Sequence, residues 1–244
     1  MTGSVIMLWS VPRSRSTAFF RMMLQRGDHV CVHEPFSTLA EHGAVDVAGR
    51  IAHDEAGVIA ALRELAERAP VFVKDTTDAR YPMVLADDAF LGGLARNAFL
   101  IRRPAETIPS YFAVNPEVRQ EQIGFTHLWE LFDRVRELTG ATPPVFDSED
   151  LVAAPRATVE RFCALFGLPF LPEAMTWPAG DRPEWQATRR WHADVARSTT
   201  LARRPAGHDV GLDAAPQLAA YLAHHEPVYR HLHRHRIQPT GART

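Results

Sequence analysis

The amino-acid sequence predicts an α/β fold, a mainly parallel sheet with helices packed on both faces. Three observations predict it. Short all-apolar runs such as Val5-Ile6-Met7-Leu8-Trp9, Val71-Phe72-Val73 and Ala98-Phe99-Leu100-Ile101 read as strands covered on both faces. Segments with apolar residues at helical spacing separate these runs, the pattern of parallel strands joined by crossover helices. The first run leads into a polar loop and then a largely apolar helix, and that loop sits at a strand carboxyl end, where such sheets bind ligands.

The elements follow in order. After the strand at 4–9, residues 18–25 form a buried helix that ends before Gly27-Asp28. Residues 29–32 form a second strand, and Glu34 is expected to be extended because the ring of Pro35 clashes with a helical residue ahead of it. Val58, Ile59, Leu62, Leu65 and Ala66 mark a helix ending before Pro70, and the strand at 71–73 runs out at Lys74-Asp75. A helix over 82–95 precedes the strand at 98–101, which ends at Arg102-Arg103-Pro104. Phe125, Leu128, Trp129, Phe132 and Val135 line one face of a long helix, and Val145-Phe146 is a last short strand. Pro155 opens and Gly167 closes a helix with Val159, Phe162, Cys163 and Phe166 on one side. A proline-rich stretch then leads to a C-terminal helix carrying Leu218, Tyr221 and Leu222, and 239–244 reads as a frayed tail. Without a repeat or a linker, residues 1–244 are expected to form one domain, with a motif-bearing core at 5–170 and a helical part at 171–238.

Composition sets outer bounds. A chain of 244 residues, 46% of them hydrophobic, can bury a sizeable core. The formal net charge of -2 gives no bulk attraction to nucleic acid or to an anionic membrane, so neither is expected as a partner. Any anion site must come from locally placed arginines. Cys31 and Cys163 each lie in an apolar segment, as free thiols of a reducing compartment do, and a cytoplasmic location is expected. The opening apolar run is too short for a signal segment, and no stretch reaches the roughly 20 apolar residues of a spanning helix.

The loop Pro12-Arg13-Ser14-Arg15-Ser16-Thr17 carries two arginines and three hydroxyls directly ahead of a helix N-terminus. Free N–H groups and the helix dipole favour an anion there, which makes a P-loop-type cradle for phosphate or sulfate. It is not a Walker A loop, having neither glycine nor lysine, so nucleotide hydrolysis is disfavoured. The same residues resemble the 5′-phosphosulfate loop of the sulfotransferase superfamily, which reads proline, basic residue, serine, glycine, then serine or threonine. The resemblance implies that Arg13 and the amides and hydroxyls of Ser14, Ser16 and Thr17 hold the 5′-phosphosulfate of 3′-phosphoadenosine-5′-phosphosulfate (PAPS). Arg15 lies in the same cradle at the family's usual glycine position.

Arg102-Arg103-Pro104 followed by Ser110-Tyr111 is similar to the family's 3′-phosphate motif, which implies that Arg102 and Ser110 bind that phosphate. An arginine leaving a strand and a serine on the next helix can converge on one anion. Phe146-Asp147-Ser148-Glu149-Asp150-Leu151 and Phe166-Gly167-Leu168-Pro169 resemble structural parts of the family, so the likeness spans 5–170. Beyond it, nothing matches the arginine-lysine-glycine loop of the eukaryotic cytosolic members. Arg203-Arg204 is the candidate substitute.

Sulfuryl transfer needs a base for the acceptor's proton and a cation for the leaving oxygen. Bacterial trehalose-sulfating relatives place a catalytic glutamate at a position similar to Glu34, which implies Glu34 as the base, with Asp75 and His33 as alternatives. On an extended chain His33 would point away from Glu34. Lys74-Asp75-Thr76 resembles the lysine, any residue, histidine run of the eukaryotic enzymes, but Thr76 replaces the histidine. Lys74, the one lysine among 27 Lys and Arg residues, either contacts the sulfuryl or bridging oxygen or remains a strand-end rim residue. Arg13 is the second cation. His224, His225, His231, His233 and His235 read as a solvated basic helix rather than a metal site, and no metal is required.

The resulting expectation is a PAPS-dependent sulfotransferase acting on a hydroxyl or amine of a small-molecule or sugar-like acceptor. Its alternatives are a nucleotide-binding module without chemistry and an atypical P-loop kinase. Acceptor identity and oligomeric state are not legible in the sequence.

Overall fold

The computed structural model describes residues 3–203 and 210–239. Arg204 and residues 240–244 lie outside the described residues. The strands are β1 (Val5–Ser10), β2 (Val30–His33), β3 (Val45–Val47), β4 (Arg50–Ala52), β5 (Val71–Thr76), β6 (Ala95–Ile101) and β7 (Val145–Asp147). The α-helices are α1 (Ser16–Arg26), α2 (Pro35–His42), α3 (Glu55–Arg68), α4 (Pro82–Ala86), α5 (Pro104–Phe112), α6 (Phe125–Thr139), α7 (Ser148–Ala153), α8 (Pro155–Phe166), α9 (Ala193–Ala196) and α10 (Pro216–His233).

Five strands form a parallel sheet in the order β2-β5-β1-β6-β7, the P-loop-type α/β arrangement expected from the alternation of elements. β1 is central, with Val5 beside both Val71 of β5 and Ala95 of β6. All six β1 residues are buried, as a strand covered on both faces requires. Val5, Met7 and Trp9 face one core with α3 and α6, whereas Ile6 and Leu8 face another with α1 and α8. Because β1 leads to β2 on one side of it while β5 leads across it to β6 on the other, the carboxyl ends of β1, β5 and β6 lie at a topological switch point.

Several local expectations change. The helix expected over 82–95 ends with α4, and after it Asp87 accepts from the Phe90 N–H at 2.8 Å and starts a separate π-helical turn at Phe90–Leu94. β3 and β4 form an antiparallel hairpin outside the main sheet, turning through Ala48 and Gly49 at φ 51° and 94°. The region after α8 is built largely of 3₁₀ turns at Pro172–Met175 and Pro183–Trp191.

Of the C-terminal histidines, His224 is exposed, but His225, His231 and His235 are packed rather than solvated. His225 Nε2 lies 2.8 Å from the Gln120 carbonyl, and the rings of His231 and His235 pack 5.2 and 5.4 Å from Trp129 and Phe132 of α6. An aromatic face on α6 recruits them. After α10 the chain returns to the sheet, where Ile237 N–H donates to the Val145 carbonyl at 2.7 Å along β7.

Candidate functional site

The loop between β1 and α1 turns on two left-handed arginines, Arg13 at φ 62° and Arg15 at φ 66°. Arg15 thus takes the conformation a glycine would take there, at a cost of about 1–2 kcal/mol for an L-residue. Its guanidinium offsets that cost by donating to Ser148 Oγ at 2.9 Å and Glu149 Oε1 at 2.6 Å, with Glu106 3.6 Å away. Ser16 and Thr17 form the first turn of α1, and Ser14 is fully buried with an Oγ that meets no hydrogen-bond partner. At the start of α6, Gly124 fits against this loop only because it lacks a side chain, since a Cβ would stand 2.8 Å from the Thr77 carbonyl and 3.0 Å from Pro12 Cδ.

The two arginine motifs meet. Arg102, leaving β6, donates through Nη1 to the Arg13 carbonyl at 2.8 Å and through Nη2 to Glu106 at 2.9 Å. Arg13 Nε donates to Ser110 Oγ on α5 at 3.2 Å. Burial holds the Arg13 and Arg102 guanidinium groups below the ordinary arginine value, and Arg15 pushes Arg102 in the same direction. An anion beside them would relieve both.

Glu34 departs from its expected conformation: it is left-handed at φ 47° and ψ 49°, not extended. Pro35 excludes only the right-handed helical region for the residue before it, and α2 starts directly at Pro35, so the chain must turn within one residue. Partners on β5 hold that turn. Glu34 N–H donates to the Lys74 carbonyl at 2.7 Å, and Asp75 accepts from the N–H groups of Phe36 and Ser37 at 2.7 and 3.1 Å. Asp75, expected as an alternative base, is therefore a fully buried cap for α2. Burial pushes its carboxyl well up.

The turn brings Glu34 back beside His33, correcting the expectation that the two point apart. Glu34 Oε2 lies 3.6 Å from His33 Nδ1 and 3.8 Å from His192 Nε2, while Oε1 carries the Lys74 ammonium in a buried ion pair. Lys74 is not a rim residue, being 1% exposed. Burial by itself would raise the Glu34 carboxyl, but Lys74, His33 and His192 together take it well below the usual carboxylate range. The ligand-type atoms of His33, Glu34 and His192 lie within 4.8 Å of one another. A metal cation there would meet the repulsion of Lys74, which already neutralises the carboxylate.

A cavity of about 690 Å³ collects these groups: Arg13, Arg15, Ser16, Thr17, Glu34, Lys74, Arg102 and Ser110 all line it. No sequence motif marks the third part of the wall. Thr188, Trp191 and His192 come from the 3₁₀ segment and its exit, and Arg13 Nη1 anchors that segment by donating to the Trp191 carbonyl at 2.6 Å. His192 is buried, with Nδ1 3.2 Å from Thr17 Oγ1 and Nε2 3.1 Å from Thr188 Oγ1. The only sequence signal was a tryptophan-histidine pair after two arginines, without periodicity. Arg203 is largely exposed and pairs with Glu149, which also holds Arg15.

Among the described residues, no helix is long and apolar enough to cross a membrane. A family model described as a sulfotransferase domain matches residues 4–230. Among solved structures, the chain is similar to a mouse sulfotransferase complexed with PAP, at a TM-score of 0.53 and 14% identity, covering 95% of this chain and 88% of that one. It is also similar to the sulfotransferase domain of a Synechococcus olefin synthase, at a TM-score of 0.50 and 16% identity, with 90% and 94% covered. Branched-chain-amino-acid aminotransferase-like protein 1 of Arabidopsis thaliana is 26% identical over 208 residues, 80% of this chain. The chain spans 36% of the length of that relative.

Proposed function

The chain belongs to the sulfotransferase family, and from that premise we propose that it moves the sulfuryl group of PAPS to a hydroxyl or amine of a small-molecule or sugar-like acceptor. One observation carries this reading: Arg102 donates to the Arg13 carbonyl and Arg13 to Ser110, so residues of separate motifs meet in one cavity that Glu34 and Lys74 also line. The buried Ser14 Oγ has no hydrogen-bond partner, and an oxygen of an anion seated in the loop would supply one.

Arg13, Ser14, Ser16, Thr17 and the α1 N-terminus would hold the 5′-phosphosulfate, and Arg102 with Ser110 the 3′-phosphate. Arg15 contributes by fixing the loop's left-handed turn rather than by a free guanidinium. PAPS supplies the activated sulfuryl group. Lys74 and Arg13 would neutralise charge on the leaving oxygen, and Glu34 provides the negative charge toward which the acceptor's proton moves. The residues do not need a metal for these roles. The free thiols of Cys31 and Cys163 favour a reducing, cytoplasmic setting.

The test is calorimetry with 3′,5′-adenosine bisphosphate and with ATP, each with and without magnesium. Tighter, magnesium-independent binding of the bisphosphate is expected. Equal affinities, or ATP binding that depends on magnesium, would refute the reading and favour the kinase.

A further inference from the structure

If the chain transfers a sulfuryl group, as proposed above, the acceptor's proton needs a destination, and Glu34 is poorly placed to be the only one. One of its oxygens is tied to Lys74, and the remaining oxygen faces two imidazoles. A carboxylate so well stabilised in its charged form is a weak base.

We propose that His192 takes the proton of the acceptor hydroxyl or amine and that Glu34 orients and balances it. The geometry assigns each ring nitrogen. Glu34 Oε2 only accepts hydrogen bonds, and the Thr188 hydroxyl donates to the Trp185 carbonyl at 3.4 Å, so both favour the hydrogen on His192 Nε2. Nδ1 is then the lone pair, facing the Thr17 hydroxyl on the first turn of α1, beside the anion loop. When Thr17 turns its hydroxyl to a phosphosulfate oxygen, Nδ1 becomes free on the side where transfer takes place.

The step balances. The acceptor oxygen or nitrogen forms the new bond to sulfur, the bond from sulfur to the bridging oxygen breaks, and that electron pair stays on the 5′-phosphate. The acceptor's proton passes to Nδ1, and the imidazolium keeps its Nε2 hydrogen toward Glu34.

The surroundings keep this imidazole neutral beforehand. Burial pushes His192 down to about 4, with Glu34 and Asp181 opposing that shift and Lys74 and Arg13 adding to it. His33, whose ring lies 4.9 Å away at 87°, is itself held neutral by burial. A bound phosphosulfate adds negative charge beside Arg13 and Lys74, which offsets their effect and raises the proton affinity of His192 in the complex.

The experiment is single-turnover release of sulfate from radiolabelled PAPS with water as the acceptor, beside bisphosphate calorimetry. His192→Gln is expected to bind bisphosphate almost as wild type does and to release sulfate about a hundredfold more slowly. His192→Asn serves if that variant unfolds. In His192→Ala, added imidazole should restore the rate by about tenfold or more, which a purely structural role would not allow. Unchanged sulfate release in His192→Gln, a loss of affinity that accounts for the lost rate, or the absence of imidazole rescue would overturn the assignment. Failure of the wild-type chain to bind bisphosphate, or to release sulfate once bound, would instead remove the sulfuryl-transfer reading, and this proposal with it.

Discussion

Arg102 Nη1 donates a 2.8 Å hydrogen bond to the carbonyl oxygen of Arg13, so the side chain proposed for the 3′-phosphate braces the backbone proposed for the 5′-phosphosulfate. Arg102→Ala is therefore expected to weaken 3′,5′-adenosine bisphosphate by about 2–5 kcal/mol, as loss of a buried charged contact does. It should also weaken 5′-AMP, by about 1 kcal/mol, through the loosened loop. Titration of both nucleotides checks this, and equal losses for the two would detach Arg102 from the 3′-phosphate.

Ser14 offers a separation of binding from folding. Its hydroxyl has no protein partner, so Ser14→Ala removes no internal hydrogen bond and should leave the thermal midpoint unchanged or slightly raised. Bisphosphate affinity should fall by about 1 kcal/mol. A lower midpoint with unaltered affinity would mean that the hydroxyl serves the fold.

At Arg15 the backbone and the side chain have separable effects. Arg15→Gly relieves the left-handed strain while surrendering the contact with Glu149, and it should keep bisphosphate binding within about 1 kcal/mol of wild type. Arg15→Val, with a β-branched residue at positive φ, should bind markedly more weakly and melt lower. Equal losses in the two variants, read by calorimetry and thermal unfolding, would show that the guanidinium itself holds the ligand.

The Glu34–Lys74 pair makes stability depend on pH. Lys74→Met strands a buried carboxylate and should cost about 3–5 kcal/mol, whereas Glu34→Gln combined with Lys74→Met should recover most of that loss. Glu34 lies below its ordinary value in the folded chain, so its contribution is fully present above about pH 5 and fades as pH falls through the unfolded value toward the folded one. The gap in urea stability between wild type and Glu34→Gln should be constant from neutral pH to about pH 5 and narrow below it. A gap of unchanged width at about pH 3 would place the effect elsewhere.

The parts of the site that were legible share one property: their chemistry lies in a few consecutive residues. The loop from Pro12 to Thr17 declares itself because strand, hydroxyls and helix start are adjacent, and Arg102 with Ser110 because a strand end and the next helix carry them. The sequence places Glu34 at the exit of a strand but does not show its left-handed turn, since the forces that turn it come from Lys74 and Asp75 on another strand. His192 left no comparable signal. A 3₁₀ segment has no apolar period to read, and its position depends on Arg13, which lies 178 residues away in sequence. The C-terminal histidines are hidden for a related reason: the rings that pack on His231 and His235, Trp129 and Phe132, belong to a different helix.

The return of the chain to β7 bears on the order in which a nascent polypeptide can finish folding. β1 can pair with β5 and then β6 as each leaves the ribosome, because those partners follow it in sequence. β7 joins β6 next, but its outer edge stays open until Ile237 is synthesised and donates to Val145. Through that interval the growing chain carries an unpaired strand edge, the feature most prone to pairing with another molecule. Translation pausing between residues 147 and 237 would lengthen the exposure, so a nascent chain stalled there would be especially liable to aggregate on its own ribosome.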